Sequence, residues 1–233
     1  MERWCSMVVF DMAGTTVRDE DNAVASSVQK ALAEFGCDIT LEAVDPVMGM
    51  PKPLAIRSLL DKYSRDDSLR SRSDEVHTRF QQIVVDHYKT GSGVAEVPGT
   101  SRVFRLLRDE GIKVAIDTGF DRLTLDTIVN RLGWDGMLDA SVASGEVENG
   151  RPAPDMIEVL MDRVGVSDSS TVCKVGDSVS DIEQGLNAGC GLVAAVLCQR
   201  TKDEYQRYGG VIAVESIDEL LPHLGLSLAG AAG

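Results

Sequence analysis

The sequence predicts an α/β protein with a parallel sheet and an inserted all-helical segment. Three observations predict it. Short apolar runs recur along the chain and end in polar residues, as strands buried on both faces of a parallel sheet do. Patterns of helical period fall between them, and such alternation is the mark of a parallel sheet with crossover helices. One long stretch, from about Asn22 to Thr90, shows helical patterns alone.

The elements follow in order. Ser6 to Asp11 (SMVVFD) is the first apolar run, and Gly14 then offers a turn. Val24 to Phe35, Leu54 to Tyr63 and Ser73 to Tyr88 each repeat apolar residues at helical spacing. Thr90 to Pro98 (TGSGVAEVP) has the composition of a linker. Helical patterns at Thr100 to Glu110, Asp121 to Leu132, Pro154 to Val164, Ser178 to Ala188 and Thr201 to Tyr208 then alternate with strands. Those strands are Ile112 to Asp117 (IKVAID), Asp139 to Ala143, Thr171 to Asp177 (TVCKVGD), Gly191 to Leu197 and a weaker Val211 to Val214. The tail from Leu226 to Gly233 is rich in Ala and Gly and is expected to fray. Ligands of open α/β sheets bind at the C-terminal edge of the strands. A helical insert after the first strand would roof that edge as a cap.

Length and composition bound the function. A chain of 233 residues is one large domain, or one and a half, and buries a sizeable core unaided. Lys and Arg number 23 against 37 Asp and Glu, a net charge of -14. Nucleic acids and anionic lipid surfaces are bound by clustered cations, so both are excluded as partners. A small anionic substrate is not, because a local site can oppose the global sign. No apolar run reaches the length of a membrane span. Five cysteines (Cys5, Cys37, Cys173, Cys190, Cys198) form no CxxC pair, and no secretory pattern opens the chain. Both features suit a cytoplasmic protein with mostly buried thiols.

The strand ends collect polar residues with chemical uses. Asp11 and Asp177 each end a strand, Thr118 follows another, and Arg151 lies in a loop before a helix. In a parallel sheet these ends point the same way. A strand-end carboxylate beside Gly14 could attack phosphorus. Asp11 and Asp177 suit Mg2+, which binds through one or two carboxylates and keeps water, and a backbone carbonyl could add a ligand. Thr118 and Gly119 offer a hydroxyl and open amides to phosphoryl oxygens, and Arg151 offers a planar fork. Each also has a plainer use: Asp as a turn former or helix cap, Asp181 as a first-turn carboxylate, Arg151-Pro152 as a surface turn. Their convergence on one edge favours a site for phosphoryl transfer.

Four ordered segments resemble the motifs of the haloacid dehalogenase (HAD) superfamily. They are Asp11-Met12-Ala13-Gly14-Thr15-Thr16, Thr118-Gly119, Gly150-Arg151-Pro152-Ala153-Pro154 and Gly176-Asp177-Ser178-Val179-Ser180-Asp181. The resemblance implies a Rossmann-like core over residues 1–18 and 98–233, with a cap over 19–97 that sets substrate specificity. It implies a phosphoryl group carried on Asp11 and held by Thr118 and Arg151. It implies Mg2+ held by Asp11, the Ala13 carbonyl and Asp177, with Asp181 as an indirect or water-mediated partner. Thr15, Met48, Gly49 and Gly119 fall at substrate-binding places. Ala13 stands where most phosphatases of the superfamily carry a second Asp as general acid/base, and Arg151 where most carry Lys. Both are marks of the phosphonatase branch.

Met48-Gly49-Met50-Pro51-Lys52 is similar to the cap motif of that branch, which places Lys52 at the lysine that forms a Schiff base with the aldehyde. Cleaving a C–P bond leaves a carbanion, and an iminium on Lys52 would be its electron sink. The His that supports proton transfer in that branch is Ala55 here, and the preceding Asp is Leu54. Lys52, between Pro51 and Pro53 before a helix expected near Leu54, could also be an ordinary solvated lysine.

The leading expectation is a Mg2+-dependent hydrolase of a small phosphonate such as phosphonoacetaldehyde. A phosphatase of phosphate monoesters, such as phosphoglycolate or a sugar phosphate, is the alternative. A lapsed anion-binding homologue is a third reading, suggested by Ala13 and Ala55. A phosphorylated receiver module is disfavoured by length and by the helical insert. An apolar cap helix could pair two chains into a homodimer.

Overall fold

Six strands form one parallel sheet in the order β3-β2-β1-β4-β5-β6. They are β1 (Met7–Phe10), β2 (Lys113–Thr118), β3 (Ala140–Ala143), β4 (Val172–Gly176), β5 (Leu192–Val196) and β6 (Val211–Val214). The structure is a computed structural model that describes residues 4–19, 22–48, 50–197, 205 and 207–227. The expected helix over Thr201 to Tyr208 lies mostly outside the described residues, as do Cys198, Gly49 and the tail beyond 227.

The central strand shows why the apolar runs lack alternation. All four residues of β1 are fully buried. Val8 and Phe10 pack into the larger core with Phe104, Leu107 and Trp134. Met7 and Val9 point to the other face, against Met156, Ile157 and Leu160. A strand covered on both faces needs apolar residues at every position.

Between β1 and β2 the chain is helical, as its pattern predicts: α1 (Ala23–Glu34), α2 (Lys52–Tyr63), α3 (Asp67–Arg70), α4 (Ser73–Thr90) and α5 (Thr100–Asp109). Val24, Val28 and Leu32 of α1 share a core with Ile56 and Leu60 of α2 and Phe80 and Val84 of α4. Two details differ from expectation. The four-residue α3 is too short to show a period. α2 begins at Lys52, two residues before the expected start, with Pro51 at its N-cap and a proline in its first turn. Proline has no N–H to lose there, so it opens the helix rather than delaying it.

After β2 come α6 (Arg122–Leu132), α7 (Asp155–Val164) and α8 (Val179–Asn187). Cys5, Cys37 and Cys173 are buried free thiols, and Cys190 is a partly buried one. No helix among the described residues is long and apolar enough to cross a membrane.

Register places the site. Phe10 pairs with Ile116 on one side and Val175 on the other. Asp11 therefore leaves β1 level with Asp117 and Gly176, where the strand order reverses, which is where open α/β sheets bind ligands.

Candidate active site

The loop after β1 turns tightly on one carbonyl. The N–H groups of Thr15, Thr16 and Val17 all donate to the carbonyl of Met12, and the Thr16 hydroxyl donates to the carbonyl of Asp11 at 2.8 Å. Gly14 takes a φ of 89°, and a Cβ there would collide with the Asp177 carboxylate. Glycine thus lets the first loop touch the loop after β4. The Thr15 hydroxyl, buried, donates to Asp177 Oδ1 at 3.3 Å.

The start of α8 fixes a second carboxylate. Ser178 is the N-cap, and its hydroxyl accepts the Asp181 N–H at 3.2 Å. Asp181 Oδ2 in turn accepts the Ser178 N–H at 3.3 Å, completing a capping box. Asp181 is therefore a helix cap as well as a member of the site. Its other oxygen, Oδ1, lies 2.8 Å from Arg151 Nη1 and 3.0 Å from Lys174 Nζ.

Arg151 gathers the rest. It is 4% exposed. Nη1 also lies 2.8 Å from Asp11 Oδ1, while Nη2 donates to the Asp117 carbonyl at 2.8 Å and to its carboxylate. Asp117 is held from the other side by Lys174. Three carboxylates and two cations thus close a network among buried groups. Buried charges are tolerated only when paired in this way. Neither Asp117 nor Lys174 is among the site residues expected from the sequence. Their signal was a charge within each of two apolar runs, Asp117 closing IKVAID and Lys174 inside TVCKVGD.

Electrostatics follow burial. Desolvation pushes the Asp11 carboxyl up to about 6, with Arg151 opposing it. Burial would also raise Asp181, but Arg151 and Lys174 outweigh it and hold that carboxyl below its usual range.

A cavity of about 300 Å3 opens above the strand ends. Asp11, Thr118, Arg151, Asp177, Asp181 and Lys52 all line it. Ala13, Gly119 and Met48 also reach it, while the buried Thr15 is not part of its lining and instead holds Asp177. Lys52 comes from the helical insert. It is 5% exposed, so it is not a solvated lysine. Its Nζ donates to the Met50 carbonyl at 3.3 Å and lies 5.9 Å from the centroid of the Phe120 ring. Burial pushes its ammonium down to about 8.

The carboxylates suit a hard cation. Asp11, Asp117 and Asp181 each offer an oxygen within 4.8 Å of the others. The expected set included Asp177 and not Asp117. Asp177 stands across Gly14 on the same cavity, whereas Asp117 is engaged by Arg151 and Lys174. Oxygen-only donors of this kind suit a hard divalent cation rather than a soft metal.

Comparison with known proteins shows the family. Residues 8–195 match the family model of haloacid dehalogenase-like hydrolases. A Bacteroides fragilis protein named phosphonoacetaldehyde hydrolase is 30% identical over 198 residues, covering 82% of this chain and 75% of its own. A Pseudomonas fluorescens protein of the same name is 31% identical over 197 residues, 80% of this chain and 71% of its own. The crystal structure of a phosphonoacetaldehyde hydrolase-like protein from Oleispira antarctica shares the fold, with a TM-score of 0.78 and 22% identity over 95% of this chain and 91% of that one. The chain belongs to the haloacid dehalogenase-like hydrolases, in their phosphonatase-like branch.

Proposed function

We propose that this hydrolase removes the phosphoryl group of a small phosphonate, with phosphonoacetaldehyde or a close relative as its substrate. One observation carries the reading: a buried lysine from the helical insert, its ammonium lowered to about 8, lines the same cavity as Asp11. A desolvated lysine is an amine nucleophile near neutral pH. The Bacteroides fragilis relative bears the name of this activity.

The residues divide the work. The Lys52 amine attacks the aldehyde carbon, and water leaves to give an iminium. An Asp11 oxygen takes the phosphoryl group as the C–P electron pair moves into the iminium, leaving an enamine on Lys52. Protonation of the enamine carbon and hydrolysis then release acetaldehyde, and water frees phosphate from Asp11. Arg151 and Thr118 hold the phosphoryl oxygens throughout. Asp11, Asp177 and the Ala13 carbonyl would hold Mg2+, with Asp181 acting through water, and the ion would offset charge on the phosphoryl oxygens. Ala13 supplies no acid, and an iminium sink needs none on the leaving group. The insert acts as a cap that excludes water and brings Lys52 to the substrate.

The test incubates the protein with Mg2+ and phosphonoacetaldehyde and follows phosphate and acetaldehyde together. Equal release of both, abolished by borohydride in the presence of substrate, supports the reading. Phosphate released only from phosphoglycolate or sugar phosphates, with full activity in Lys52→Arg, replaces it with a phosphomonoesterase. Asp11→Asn is inactive in either case.

A further inference from the structure

We propose that Asp19 is the proton-transfer group that serves the Lys52 amine, an inference that rests on the amine chemistry proposed above. An ammonium must lose a proton before it attacks a carbonyl. The hydroxyl of the resulting carbinolamine must gain one before it leaves as water. Lys52 finds no such partner on its own helix: Leu54 is 53% exposed and apolar, and Ala55 is buried.

The cavity supplies the candidate. Among its lining residues, Asp11, Arg151, Asp177 and Asp181 belong to the phosphoryl end. The remaining acids are Asp19 and Asp45. Asp45 is exposed to solvent. Asp19 is half-buried, where the chain leaves the first loop for the insert. Its Oδ1 accepts the Val24 N–H at 3.3 Å, which ties the carboxylate to the start of α1.

The surroundings favour exchange with Lys52. Among the described residues, the ionisable groups that act on Asp19 include Lys52 from α2 and His87 and Tyr88 from α4. Burial raises the Asp19 carboxyl against the pull of backbone N–H groups, His87 and Lys52. Burial lowers the Lys52 ammonium. The two values move toward each other, which lowers the cost of passing a proton between them.

The step balances. Asp19 carboxylate takes a proton from the Lys52 ammonium. The free amine bonds to the aldehyde carbon, and the carbonyl oxygen receives a proton from the attacking nitrogen. Asp19 then returns its proton to that hydroxyl, which departs as water while the nitrogen lone pair forms the C=N bond. Asp19 ends as it began, and release of the product aldehyde runs the same transfers in reverse.

The experiment measures the rate of borohydride-trapped adduct on Lys52 by mass spectrometry. Acetaldehyde is the probe, without metal, so the C–P step and the metal site play no part. Asp19→Asn keeps the oxygen that accepts Val24 N–H and cannot carry the proton. It should slow trapping about a hundredfold and lose the pH dependence due to Asp19. Asp19→Glu should recover most of the rate. Equal rates in the unsubstituted protein and Asp19→Asn overturn this inference and leave the amine reading standing. An unsubstituted protein with no adduct on Lys52 overturns the amine reading, and this inference with it.

Discussion

Arg151 Nη1 lies 2.8 Å from Asp11 Oδ1, with both side chains buried. The same guanidinium reaches Asp117 and Asp181. A lysine ammonium is a point charge and cannot span three carboxylates in a fixed plane. Arg151→Lys should therefore cut turnover about a hundredfold. Arg151→Met, which strips the cation from buried carboxylates, should cost about 3–5 kcal/mol in urea unfolding. Wild-type turnover in Arg151→Lys would show that charge alone suffices.

Lys52 sets a pH dependence with a definite sign. Burial lowers its ammonium from the usual 10.5 to about 8. The neutral amine attacks, so adduct formation with an aldehyde should rise about tenfold per pH unit below 8 and level off above it. Stability runs in a matching direction. Below pH 8 the folded protein carries a buried charge at full cost, and that cost is relieved between pH 8 and 10.5 as the folded state gives up the proton first. Lys52→Met should therefore be the more stable protein, with a gain that is greatest below pH 8 and shrinks up to 10.5. A trapping rate that climbs unchanged to pH 10 would place Lys52 in solvent.

Much of this was legible in the sequence, for a physical reason. Strands buried on both faces are apolar at most positions, so β1, β2, β4 and β5 stand out as mainly apolar runs. The strand ends of a parallel sheet meet at one edge, so Asp11, Thr118 and Asp177 could be placed together without coordinates. Asp117, Lys174 and Asp19 could not. The first two become partners only through register: β2 and β4 flank β1, so residues 57 apart in the chain meet across it. Asp19 matters only because the insert folds back over the strand ends. The helix expected near Leu54 starts two residues earlier, at Lys52, because Pro53 fits within its first turn, where a missing N–H costs nothing.

The Asp117–Lys174 pair gives a prediction of its own. Lys174 is completely buried in β4 and contacts Asp117 and Asp181. Lys174→Met should destabilise by about 3–5 kcal/mol, because two carboxylates lose a cation. The double variant Lys174→Met/Asp117→Leu should lose less than the sum of the single changes. Additive losses in urea titrations would mean that the pair is not coupled.

Gly14 joins conformation to function. Its φ of 89° is left-handed, and the space where a Cβ would stand is filled by the Asp177 carboxylate. Gly14→Ala should cost about 1–2 kcal/mol for the backbone alone. The larger effect should fall on the site, because the loop must withdraw from Asp177 and carry Ala13 and Asp11 with it. Affinity for Mg2+, read by calorimetry, should fall at least about tenfold, since hard cations demand closely set oxygens. Gly36→Ala is the control: its φ is 85° with open space around it, so it pays the same backbone strain without touching the site. If both variants bind Mg2+ like the unsubstituted protein, the contact between the two loops does not shape the metal site.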